Sequence, residues 1–286
     1  MTLREAYEYG QEQLKKAKIE DAALDAWYLL EHVTGVSRAE YFLHMSREVL
    51  PEQLRAYEAC LCQRAQHIPL QHITGVQEFM GLAFAVNEHV LVPRQDTEVL
   101  VEQVLPVLEP GMHVLDMCTG SGCILISLLK LCKRSGETNA NQKITGIGVD
   151  ISEEALTVAK QNAKALEAEA TFLQSDLFDK VQGTYDVIVS NPPYIRTAVI
   201  EELKEEVKFH DPFLALDGKE DGLYFYRKII EESPKYLKDS GKLYLEIGHD
   251  QGEDVKQLLE TAGFTDVTVK KDLAGLDRVV FGVYNQ

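Results

Sequence analysis

From Pro93 to the end of this 286-residue chain, strand-like and helix-like runs alternate. Val114–Met117 reads as a strand, followed by a glycine-rich turn and the apolar helical run Ile124–Leu131. Ile144–Val149 is a second strand before the helical pattern Glu153–Leu166, and Thr171–Leu173 a third. Tyr185–Ser190 is a fourth, Tyr224–Leu237 reads as helix, and Lys242–Ile247 is a fifth strand before the helix Val255–Ala262. Such alternation leaves few folds open. Parallel strands need long crossovers, and helices on both faces bury the sheet. Val267–Val269 and Arg278–Tyr284 have no helix between them, so one antiparallel insertion is expected at the sheet edge. The polar stretch 133–143 is expected to be a flexible surface loop.

Ahead of this lies a region without strand signals. Thr2 and Glu5, and again Ser37 and Glu40, stand at the capping-box spacing. Asp21–Val33 keeps helical period and stops at Thr34-Gly35, and Pro51 opens a run to Gln66. Residues 1–73 are therefore expected to form a small helical bundle, and its residues leave two roles open, structural packing or the docking of a substrate. Residues 74–93 are expected to form a β-hairpin linker turning at Asn87-Glu88, with Val90–Val92 as its second arm. Residues 94–286 are left as the α/β domain.

Composition closes several alternatives. No apolar run approaches the ~18 residues of a membrane span, and the first residues, MTLREAYEYG, carry no secretion signal. Five cysteines in no disulfide or zinc spacing fit a reduced, cytoplasmic protein without a metal site. A formal net charge of −17 argues against a broad nucleic-acid surface and suits a basic protein partner.

Polar signals follow the strands. Asp116-Met117-Cys118-Thr119-Gly120-Ser121-Gly122 forms a strand-to-helix turn where backbone can approach a ligand, but it lacks the third glycine of the dinucleotide fingerprint. Asp150 after the second strand is placed to accept ribose hydroxyls, although it, or Ser152, also reads as a helix cap. Asp176 follows the third strand. Asn191-Pro192-Pro193-Tyr194 follows the fourth. Two prolines make that corner rigid and extended. The Asn191 side-chain oxygen and the Pro192 carbonyl would accept both hydrogens of a planar NH2 group while the Tyr194 ring covers its face.

These motifs resemble the class I S-adenosylmethionine-dependent methyltransferases that modify planar nitrogens. VLDMCTGSGCI (114–124), SDLF (175–178), NPPY, LYLEIGHDQG (243–252) and the stretch 69–101 are similar, in order, to the PrmC/HemK protein-glutamine methyltransferases. The resemblance implies a Rossmann-like seven-stranded domain that uses S-adenosyl-L-methionine and methylates the glutamine of the GGQ motif in class-I peptide chain release factors. It implies a cofactor site of Asp116, Cys118, Thr119, Gly120, Ser121, Gly122, Asp150, Asp176, Leu177 and Asn191. It implies Asn191, Pro192 and Tyr194 as catalytic residues, with Pro193 joining them at the substrate. Three positions depart from the pattern. Cys118 and Lys219 stand where glycine is usual, with a side chain at 118 expected to be tolerated at negative φ, and Gln95-Asp96 replaces a Pro-Glu pair. A glutamine on a ribosomal protein, a nucleic-acid amine, and a non-enzymatic scaffold stay open as alternatives.

Overall fold

The computed structural model describes residues 1–132 and 143–285; the loop expected at 133–143 lies outside them but for Lys143. Two compact units emerge. One comprises Met1–Val76 with Lys204–His210, the other Gln77–Leu203 with Asp211–Gln286.

The first unit is helical: Leu3–Lys16, Ala22–Thr34, Arg38–Leu43, Pro51–Ala65 and the short Leu70–Thr74, which no cap or period in the sequence marks. Both capping boxes form, at Thr2/Glu5 and Ser37/Glu40, and Gly35 closes its helix at φ 66°. Leu3, Leu14, Trp27, Leu30 and Tyr57 fill the core. Across that core Asp25 meets Arg64 at 2.6 Å, and Arg64 meets Glu206 at 2.7 Å.

The second unit opens with strands β1 (Val76–Phe79) and β2 (Leu82–Ala85). Their hairpin turns at Met80-Gly81, not at Asn87-Glu88, and Val90–Val92 is not a strand. The two turn residues have φ of 53° and 72°. Positive φ at both central positions matches the twist of a two-residue hairpin, which Asn87-Glu88 cannot do without a glycine.

The main sheet holds seven strands among the described residues: β3 (His113–Met117), β4 (Thr145–Asp150), β5 (Ala170–Gln174), β6 (Tyr185–Ser190), β7 (Leu237–Glu246), β8 (Thr265–Lys271) and β9 (Asp277–Tyr284). Their order is β5-β4-β3-β6-β7-β9-β8. The first five are parallel, and β9 runs antiparallel to both neighbours. The antiparallel strand thus sits one place inside the edge, and β8 forms the edge itself. Alternate residues feed opposite cores: Val114, Val187, Val189 and Tyr244 one face, Leu115, Ile188, Leu243 and Leu245 the other. The expected helix Tyr224–Leu237 ends at Glu232, and β7 begins at Leu237. Pro234 explains the early stop, since it has no N–H for a helical turn.

Candidate active site

The chain leaves β3 for β4 and β5 on one side and returns through β6 on the other. Between β3 and β6 lies the topological switch point, where open α/β sheets leave a crevice beyond the carboxyl ends of their strands. Met117 pairs with Ser190 at those ends, and the Ser190 hydroxyl donates to the Met117 carbonyl at 2.6 Å. The glycine turn and the proline corner therefore start side by side. A cavity of about 530 Å³ opens there, within the size range of small-molecule sites.

The cavity wall includes Cys118, Thr119, Gly120, Ser121, Asp150, Asp176, Leu177, Asn191 and Pro193. Asp116, Gly122, Pro192 and Tyr194 are not on it. Asp116 is fully buried behind the turn and accepts from the Thr119 hydroxyl and, at 3.3 Å, from the Leu125 N–H. Its other oxygen has no partner. Burial pushes its carboxyl up to about 7 against those two donors. Gly122 faces the other way; a Cβ there would stand 3.0 Å from Ile126 and 3.2 Å from Ala159. Along the extended corner, side chains alternate: Asn191 and Pro193 face the cavity, while the Tyr194 ring packs on the hydrophobic core. The expected cover of the amide plane by Tyr194 is thus not what this geometry presents.

The turn alternates in backbone hand. Cys118, Gly120 and Gly122 have φ of 61°, 53° and 79°. The side chain at 118 is therefore carried at positive φ, so the condition under which it would be tolerated without strain is not met, and Lys219, the other glycine replacement, has φ 70°. Gly120 lies open to the cavity, and a Cβ placed on it would meet nothing within 4 Å, so backbone and ligand can touch there. Its N–H donates to Asp150 Oδ2 at 2.9 Å, and the Ser152 N–H donates to Asp150 Oδ1 at 3.0 Å. Ser152 is the cap of the following helix, accepting from Ala155, which leaves Asp150 at the cavity. Burial raises the Asp150 carboxyl, and the backbone donors oppose that rise.

Several wall and support residues carry no signal in the sequence. Phe213 and Leu214, both exposed, stand with Tyr224 and Phe225 on the wall, and Arg94 pairs with Asp211 at 2.7 Å. Asn191 Nδ2 donates to the Thr97 hydroxyl at 3.3 Å. The Thr97 and Asn191 side chains both adjoin the carboxyl of Glu246, which is 2% exposed at the end of β7, and oppose the rise that burial imposes on it. The run LYLEIGHDQG offered a strand there but no sign that its glutamate would turn inward.

Strand order, switch point and glycine turn together put the chain among the Rossmann-like S-adenosylmethionine-dependent methyltransferases. The family models agree: a PrmC N-terminal domain matches residues 5–75 and a methyltransferase domain residues 108–273. A release factor glutamine methyltransferase of Geobacter sulfurreducens is 38% identical over 98% of this chain and 96% of the relative. One of Caulobacter vibrioides is 40% identical over 100% of this chain and 97% of its own. In fold, the chain is similar to a methyltransferase of Pyrococcus furiosus, with TM-score 0.53 and 17% identity over 73% of this chain and 91% of that one. The chain belongs to the release factor glutamine methyltransferase family.

Proposed function

We propose that the protein methylates the side-chain amide nitrogen of the GGQ glutamine in class-I release factors, in the cytoplasm, with residues 1–73 helping to dock the substrate. One observation carries the reading. Asn191 stands on the cavity wall with its NH2 group turned to Thr97, which leaves its oxygen for a ligand, and the next carbonyl along the corner, that of Pro192, accepts no hydrogen bond among the described residues. Two acceptors at a rigid corner suit the two hydrogens of a carboxamide.

The same cavity fits S-adenosylmethionine. The open face of Gly120 takes close backbone contact, Asp150 keeps lone pairs for ribose hydroxyls, and Leu177 and Ile151 offer apolar contact to a purine. Thr119 and Ser121 with Cys118 line the turn. Asp116 holds that turn from behind through Thr119 and does not itself reach the ligand. Bound there, the cofactor supplies an electrophilic methyl group on a sulfonium. The protein's task is positioning, because an amide lone pair is delocalised and a poor nucleophile. Asn191 and Pro192 hold the nitrogen in line. Positive charge grows on that nitrogen as its bond to the methyl carbon forms and the sulfur–carbon bond breaks, and the two oxygens stabilise it more than the neutral amide. The extra proton then leaves to water. Tyr194 braces the corner from the core side.

The test is transfer of labelled methyl groups to a purified release factor, the same factor with its GGQ glutamine changed to alanine, ribosomal proteins, and DNA or RNA. Label is expected only in the unaltered factor. Asn191→Ala should lower kcat by about 100-fold or more while cofactor affinity changes little. Label in nucleic acid, or in the altered factor, would overturn the reading.

A further inference from the structure

Glu246 is an expensive residue where it stands. It is 2% exposed, burial pushes its carboxyl up to about 7, and Oε2 has no hydrogen-bond partner. The nearby cation, Arg278, is committed through Nη2 to Asp272 at 3.0 Å and Asp96 at 3.2 Å. A buried carboxylate without its own ion pair costs stability that a leucine would not. Sheet register explains where it points. Ser190 pairs with Leu245, so Asn191 and Glu246 leave adjacent strands at the same level. Thr97, just ahead of the helix Glu98–Val104, completes a triangle with them.

The hydrogen bonds in this triangle have one direction. An ionised carboxylate only accepts. The Thr97 hydroxyl beside it can only offer its hydrogen to that carboxyl, and its lone pair accepts from Asn191 Nδ2 at 3.3 Å. The Asn191 side chain also faces Glu246 and holds its carboxyl down, which only the NH2 end of the amide can do. Both routes consume the NH2 end of the Asn191 amide. Turned over, Asn191 would set its oxygen against the carboxylate and its NH2 against the NH2 of the substrate.

Building on the function proposed above, we infer that Glu246 and Thr97 are positioning residues for Asn191: they hold its amide group so that oxygen, not nitrogen, faces the substrate carboxamide. The negative charge behind Asn191 also lies on the side toward which positive charge must be drawn as the substrate nitrogen is alkylated.

The experiment compares Glu246→Gln, Thr97→Val and Thr97→Ser with the native protein and Asn191→Ala, using a release factor as substrate. Melting temperature and S-adenosylhomocysteine binding are measured alongside. Glu246→Gln and Thr97→Val should each lower kcat about 10- to 100-fold with little change in cofactor binding. The double variant should be no worse than the poorer single one, because all act through one amide. Thr97→Ser, which keeps the hydroxyl, should restore turnover. The native kcat should rise with pH as Glu246 ionises and level off above about 7, and this limb should vanish in Glu246→Gln. The other groups facing Glu246 are Arg278, Asp96, Tyr194, Tyr226 and Cys123, and burial pushes the tyrosines and the thiol further up. Asp116 is pushed into the same range, so the limb must persist in Asp116→Asn.

Full turnover in a folded Glu246→Gln, or a Thr97→Ser no better than Thr97→Val, overturns the inference. If Glu246→Gln does not fold, the Thr97 pair decides. Should Asn191→Ala itself turn over normally, the proposed function falls first. Loss in Asn191→Ala with native rates in the other variants sinks only the positioning role.

Discussion

Cys118 shows how much a single dihedral decides. A residue in an α/β turn reads as tolerable or not according to the sign of φ, and at 61° its Cβ sits in a region that costs a non-glycine residue roughly 1–3 kcal/mol. The cavity-side backbone path and the hydrogen bond from Thr119 N–H to the Val149 carbonyl hold it there. A β-branched side chain tolerates this region least. Cys118→Val should therefore destabilise by about 2 kcal/mol, whereas Cys118→Gly stays within about 1 kcal/mol of native, since relief of strain offsets lost packing and greater chain entropy. Thermal melts of the two variants check this; equal losses would show that the backbone does not set the cost. Lys219 at φ 70° repeats the pattern at a second glycine replacement. Neither sign could be read from the letters, because a hairpin or turn dictates φ through its neighbours. Asn191 was legible as a residue with an available oxygen. Which way its amide turns was not, because Thr97 and Glu246 lie far away in sequence.

At the scale of elements, local rules worked where they were sufficient. The capping boxes, the glycine stop at Gly35 and the strands with their apolar runs formed as spacing required. They failed where two local signals competed. Asn87-Glu88 looked like a turn, but Met80-Gly81 took the positive φ that a two-residue hairpin needs. The helix Leu3–Lys16 gives a further case. Gly10 lies in its interior, where alanine is normally better by about 1 kcal/mol. Here a Cβ would stand within van der Waals overlap of the Tyr57 ring, whose hydroxyl donates to the Ala26 carbonyl at 3.1 Å. Packing wins over propensity, so Gly10→Ala should destabilise by about 1–3 kcal/mol. Chemical denaturation measures it, and a gain in stability would refute the close packing.

Across the whole molecule, Asp116 and Glu246 make stability depend on pH in an unusual sense. Both are fully buried, and burial lifts both to about 7, above their values in the unfolded chain. The folded state then binds more protons than the unfolded state between about pH 4 and pH 7, so stability falls as pH rises through that window and levels off above it. Each group accounts for on the order of 3 kcal/mol. Carboxylates held low by hydrogen bonds, such as Asp221 at about 2, act only in stronger acid. The melting temperature of the ligand-free protein should fall from pH 5.5 to 8, and Asp116→Asn should flatten the slope; a flat profile in the native protein would count against burial of these charges. Neither carboxylate announces its burial in the sequence. What the chain determined by itself was local: hydrophobic period set strand or helix, cap and turn residues set most ends, and a polar signal followed each of the first parallel strands. Strand order alone brought those signals to one cavity, put Asp116 and Tyr194 behind its wall, and turned Glu246 inward to Asn191. Short-range chemistry is written in neighbouring residues, while burial and facing partners come from segments that meet only when the sheet is assembled.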